Sequence, residues 1–183
     1  MQLALSFDVG KVDRTVDLRE LSDRIEIPST LTRYATGLDI PGRDFSEWDK
    51  VFAADARFIN WNGPGSEMSI PEMQKFLTMD DPVYSHQHLL SNVVITSLDG
   101  DRATTRAEYF HVGAHRTTSQ EESNLIFKGG FYEDEFIRTP EGWRIIRHSI
   151  TRRWDKYEVV PWPPANTTWA RTEMAPESLE EEN

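Results

Sequence analysis

The chain has 183 residues, 38% of them hydrophobic, with 20 lysines and arginines against 31 aspartates and glutamates and a net charge of −11. That charge repels a phosphate backbone and argues against a nucleic-acid partner. The absence of cysteine removes disulfides, thiol catalysis and iron–sulfur ligation. Apolar runs such as Val93-Val94-Ile95 are too short to cross a bilayer, and the first nine residues lack the basic region and cleavage site of a secretory signal. The expectation is a cytoplasmic protein of one domain with no membrane partner.

Residues 1–17 read as an amino-terminal arm without a clear period. From Leu18 to Asp39 the apolar residues Leu21, Ile25, Leu31, Ala35 and Leu38 recur at helical spacing. Asp23 with Glu26 resembles a capping box, and Pro28 opposes that start, so the helix is expected to bend there or to begin later. Pro41-Gly42 ends it, and a second short helix is expected from Phe45 to Phe52. Strand character runs from Ala56 to Trp61. Ser69-Ile70-Pro71-Glu72 opens a short helix that ends near Thr78.

Beyond Thr78 the chain is rich in β signals. His88–Ser97, Arg102–Gly113, Asn124–Arg138 and Trp143–Trp154 read as strands, with turn signals at Asp99-Gly100 and at Thr139-Pro140-Glu141-Gly142. Regular structure is expected to stop at Pro161-Trp162-Pro163-Pro164. The segment 161–183 reads as an extended stretch with an acidic tail. Helices followed by antiparallel strands define an α+β fold over residues 18–160. Its helices pack on one face of a cone-shaped curved sheet whose open end makes a ligand pocket.

Leu21-Ser22-Asp23-Arg24, Arg33-Tyr34-Ala35, Leu38-Asp39 and Phe52-Ala53-Ala54-Asp55-Ala56, together with Gly129-Gly130-Phe131-Tyr132-Glu133-Asp134 and Gly142-Trp143-Arg144-Ile145, carry a resemblance. In order and spacing they resemble SnoaL-like proteins of the nuclear-transport-factor-2-like superfamily, over roughly residues 18 to 155. The scaffold hosts dehydratases, isomerases, cyclases, dehydrochlorinases and non-catalytic subunits, so fold alone does not choose a function. Asp39, His88 and Asn92 look like the Asp–His pattern of the scytalone dehydratase and hexachlorocyclohexane dehydrochlorinase branch. Tyr34, five residues before Asp39, is similar to the spacing in bile-acid 7α-dehydratase. His111 falls where that branch has its second acid–base residue. Arg147 or His148 falls where the bile-acid enzyme has an arginine, and a bulge in the last strand decides between them.

The resemblance implies a cofactor-independent lyase or isomerase acting on a small apolar cyclic compound such as a steroid, terpenoid or polyketide. Histidine suits the base because its ordinary pKa of about 6.5 lies near working pH. Asp39 would fix its tautomer and stabilise the imidazolium. Tyr34 or His111 would polarise a carbonyl or protonate a leaving oxygen. Phe58, Asn92 and Arg147 or His148 are the expected substrate contacts, with Phe58 lining the cavity beside the core aromatics Trp61, Phe110 and Phe127. Tyr109 reads as a core aromatic. The pattern His86-Gln87-His88 raises metal binding, but no carboxylate follows at the usual spacing and the resemblance implies neither metal nor cofactor. His86 and His115 therefore read as strand-end surface residues, and Arg144, Arg147, Arg152 and Arg153 as partners for the excess acids. Other readings are a ligand-binding or assembly subunit like the small subunits of ring-hydroxylating oxygenases, and a polyketide-type cyclase or epoxide-opening enzyme. A homo-oligomer is expected, a trimer before a dimer.

Overall fold

The computed structural model describes residues 17–40, 44–78, 83–116 and 122–161. The expected arm before Asp17 and the acidic tail lie outside these residues. Among the described residues two helices, Leu18–Asp39 (α1) and Ile70–Thr78 (α2), accompany six strands. The strands are Phe52–Ile59 (β1), Glu67–Ser69 (β2), Val83–Asp99 (β3), Arg102–Arg116 (β4), Glu122–Thr139 (β5) and Gly142–Pro161 (β6). They form one open, curved sheet in the order β2-β1-β6-β5-β4-β3. Every neighbouring pair is antiparallel except β1 with β6, which is parallel. Among the described residues no helix is long and apolar enough to cross a membrane.

Helix α1 differs from its sequence expectation at its start. Asp17 is the cap, accepting from the Arg19 backbone N–H at 2.9 Å, and the helix runs unbroken through Pro28. Hydroxyls follow the proline around the turn: Ser29 donates to the Ile25 carbonyl and Thr30 to that of Glu26. Asp23 and Glu26 are not a cap. Asp23 accepts from the Arg138 guanidinium at 2.5 Å and from the Trp143 indole at 3.0 Å, while Glu26 accepts from the Trp143 backbone N–H at 2.9 Å. The pair therefore pins α1 to the β5–β6 hairpin. Arg138 holds the Asp23 carboxyl below its usual range, against the opposing effect of burial. The buried stripe of α1 is Ile27, Leu31, Tyr34, Ala35 and Leu38, whereas Leu21 and Ile25 are exposed.

The expected helix from Phe45 to Phe52 is only a 3₁₀ turn, Trp48–Lys50, because β1 already begins at Phe52. The Ser69 entry to α2 holds, with Glu72 accepting from the Ser69 N–H and hydroxyl at 2.8 and 2.6 Å. The core fills the concave side of the sheet with Trp143, Tyr34, Tyr132, Phe58, Phe136 and Ile27, all fully buried.

Two irregularities in β6 set which side chains face that concave side. The β5–β6 register pairs Phe136 with Ile145 but Glu135 with Arg147, so Ile146 is the extra residue. His148 thereby turns inward and is fully buried, and Arg147 points to the exposed face, 3.8 Å from Glu135. A second bulge lies between the Gly130–Arg152 and Gly129–Trp154 pairs. It demands glycine: a Cβ on Gly130 would lie 1.9 Å from the Thr151 carbonyl oxygen. One on Gly129 would lie 2.3 Å from the Trp154 ring.

Candidate active site

Asp39 is the last residue of α1, and β3 runs alongside that helix. Both carboxylate oxygens of Asp39 are taken by one residue. The His88 backbone N–H donates to Oδ2 at 2.8 Å, and His88 Nδ1 lies 2.5 Å from Oδ1. This two-point grip occupies the backbone N–H and Nδ1 of His88 and leaves the opposite ring nitrogen, Nε2, clear of the carboxylate. The His88 ring is one wall of a cavity of about 360 Å³ at the open end of the sheet. Leu38, Leu77, Trp61, Tyr132 and Ile150 supply apolar surface there.

His111 pairs directly across from His88 in the β3–β4 register, with ring centroids 4.4 Å apart. Its Nε2 lies 2.8 Å from His86 Nδ1. Burial, reinforced by His88, His86, Lys128 and His115, lowers the His111 pKa to about 2. His111 is thus a neutral imidazole, a hydrogen-bonding group rather than a second cation. Gly113 leaves room for the rings as they stand: a Cβ there would lie 2.9 Å from His115 Nε2 and 3.1 Å from His111 Cε1.

His86 and His115 are therefore not strand-end surface residues. Both line the cavity, and His115 is buried. Two of the ring nitrogens are committed to each other, and no group of three or more metal-ligating side chains is placed to hold an ion among the described residues. Tyr109, expected in the core, also lines the cavity beside Arg152. Lys128 and Arg152 complete the polar wall.

Several expected site residues lie elsewhere. Phe58 is a core residue with no exposed surface, packed against Trp48, Phe52 and His148 rather than lining the cavity. Asn92 sits at the β3 bulge between Ser91 and Val94 with φ 49° and is exposed, so it does not contact the cavity. Arg147 faces outward for the reason given above. Phe110 lies with Trp154, at a ring separation of 5.8 Å, instead of lining the cavity. Tyr34 is buried beneath the cavity, its hydroxyl unpartnered among the described residues. Burial, followed by Tyr132 and Asp134, pushes its pKa well above the usual tyrosine value.

A second Asp–His pair lies under the first. His148 Nδ1 is hydrogen-bonded to Asp134, both side chains have no exposed surface, and Thr105 adds a hydroxyl 3.4 Å from Asp134. Tyr34, Trp61 and Tyr132 surround the His148 ring at centroid distances of 4.6, 5.4 and 4.7 Å. The inward alternation Tyr132, Asp134, Phe136 on β5 was the available signal for a buried acid in need of a partner.

The SnoaL-like domain family matches residues 19–149, and the chain belongs to that family. It is 34% identical over 150 residues to the uncharacterised protein Rv2910c of Mycobacterium tuberculosis, covering 79% of this chain and 96% of that one. Among solved structures it is similar to a type 2 hexachlorocyclohexane dehydrochlorinase, LinA. That likeness has a TM-score of 0.64 at 18% identity, over 82% of this chain and 99% of that one. A candidate scytalone dehydratase from Novosphingobium aromaticivorans superposes with a TM-score of 0.61 at 19% identity, covering 80% and 95%. A nuclear-transport-factor-2-like superfamily protein from Salmonella enterica serovar Typhimurium does so with 0.60 at 18%, covering 73% and 92%. At these identities the structural likenesses establish the α+β cone fold.

Proposed function

We propose that the protein is a cofactor-independent lyase or isomerase of the dehydratase type, with His88 as general base and Asp39 as its orienting carboxylate. The observation that carries this reading is the two-point hold of Asp39 on His88 at the wall of the cavity. With Nδ1 bonded to the carboxylate, the lone pair of Nε2 is available to take a proton from a substrate carbon. Asp39 offsets the positive charge that then forms on the ring. His111, neutral and next to His88, is suited to hydrogen-bond an oxygen that gains negative charge or departs. The apolar wall favours a small cyclic compound over a sugar or peptide. Neighbours that carry out or are named for elimination chemistry support the reaction class.

Turnover tests it directly. Candidate cyclic hydroxy-ketones and halides are screened with the wild type. His88→Ala and Asp39→Asn should each lower kcat by about a hundredfold or more, and the double variant should cost little beyond the worse single one. Activity retained in His88→Ala would defeat the proposal.

The exposed residues Leu89, Val94, Trp154, Tyr157 and Val159 on β3 and β6 support a homo-oligomer, and the resemblance to the dehydratase branch favours a trimer before a dimer. The same surface supports the second reading, a ligand-binding or assembly subunit. Light scattering at micromolar concentration decides the assembly, and a monomer would remove it.

A further inference from the structure

In a chain of net charge −11, one cavity holds two cationic side chains, Lys128 and Arg152, beside four histidines. Its polar wall is His86, His88, His111, His115, Lys128 and Arg152, and no aspartate or glutamate lines it among the described residues. The Asp39 carboxylate behind His88 is already spent on that histidine.

Arg152 is the distinctive member. Arg106, Arg138, Arg147 and Arg153 each lie within 4 Å of a carboxylate. Arg152, like Arg33, Arg102 and Arg144, makes no ion pair with a described residue, and of these four it is the one that lines the cavity. Arg152 lies two residues beyond Ile150 in unbroken register and so shares its cavity face, while the bulge that follows turns Trp154 to the outer face. Its guanidinium lies by the Tyr109 hydroxyl and opposes the upward push of burial on that group. Asp155, opposite Lys128 in the register, acts on Tyr109 in the other sense and more weakly than Arg152. The positive field reaches across the cavity, since Lys128 and the neighbouring histidines all act to keep His111 neutral.

We propose that the cavity takes an apolar ring compound bearing a carboxylate, which the Arg152 guanidinium and the Tyr109 hydroxyl bind while the ring lies against Trp61 and Tyr132. A guanidinium matches a planar carboxylate with two parallel hydrogen bonds, and the apolar walls raise the worth of that contact. Lys128 adds a second positive charge without needing to touch the ligand. This inference rests on the proposed use of the cavity as the substrate site, and it names the substrate class.

The test uses the full chain and three probes that share one ring system: 2-naphthoate, 2-naphthamide and 2-naphthyl phosphate. Binding is followed by calorimetry and by tryptophan fluorescence, because Trp61 lines the cavity. The expected result is 2-naphthoate bound at least tenfold more tightly than the amide, with a preference that shrinks as salt is raised. Arg152→Gln should abolish the preference, whereas Arg153→Gln, which removes an arginine paired with Glu108, should keep it. Equal affinities for acid and amide, or no saturable binding of 2-naphthoate at millimolar concentration, would overturn the proposal. Tighter binding of the phosphate than of the carboxylate would overturn it in favour of a phosphate ester. A naphthoate preference that survives alongside full activity in His88→Ala would sink the catalytic reading and leave this one standing.

Discussion

His88 and Asp39 touch twice, through a backbone N–H and a ring nitrogen, and so the last residue of a helix fixes the position of a strand side chain. His148 and Asp134 repeat the chemistry without access: they are sealed under the aromatic floor of the cavity. The two pairs should separate cleanly on mutation. Asp134→Ala or His148→Ala leaves a buried polar partner uncompensated and should cost about 3–5 kcal/mol in denaturant unfolding. His88→Ala, at the cavity wall, should cost clearly less. Equal losses at the two sites would mean that both pairs serve only structure.

His111 gives the protein an acid weakness. Its folded pKa is lowered to about 2, chiefly by burial, while in the unfolded chain it returns to about 6.5. Below pH 6.5 the unfolded state therefore binds a proton that the folded state refuses. Stability falls with acidification by about 1.4 kcal/mol per pH unit from this group alone. His111→Gln should flatten the slope of unfolding free energy between pH 4 and 6. An unchanged slope would contradict the account.

Two glycines make opposite predictions. Gly130→Ala places a Cβ against the Thr151 backbone, which has nowhere to go, and should destabilise the fold by about 1–3 kcal/mol. Gly113→Ala meets the far ends of imidazole rings, which can turn. It should leave melting nearly unchanged while shifting the ring signals of His111 and His115. A large stability loss at Gly113 with no change in those signals would count against the packing described.

The fold was legible because periodicity and turn chemistry are local. The strands, the hairpin at Gly100 and the α2 entry all follow from residues within a few positions of one another. Asp39 and His88 were legible only through family spacing, since nothing local relates residues 49 apart. Asp23 and Glu26 were misread for the same reason: their partners Arg138 and Trp143 are more than a hundred residues away. A bulge in the last strand was the condition for choosing between Arg147 and His148, but its position, and a second bulge beyond it, follow from pairing with β5 and not from local sequence. The first, at Ile146, shifts the inside–outside alternation by one residue and so puts His148 and Arg152 inward and Arg147 outward, and the second turns Trp154 outward. His86 and His115 were assigned to the surface because β3 and β4 extend beyond their expected ends.

The central claim is that Asp39 sets the state of the His88 ring for proton abstraction. Nitrogen NMR of isotopically labelled protein measures this without a substrate. In the neutral His88 ring, Nδ1 should carry the proton, with a strongly deshielded signal from its short bond to Asp39, and Nε2 should be bare. Asp39→Asn should erase that signature while the other histidine signals keep their folded dispersion. A neutral His88 protonated at Nε2, or a His88 spectrum unchanged in Asp39→Asn, would contradict the account.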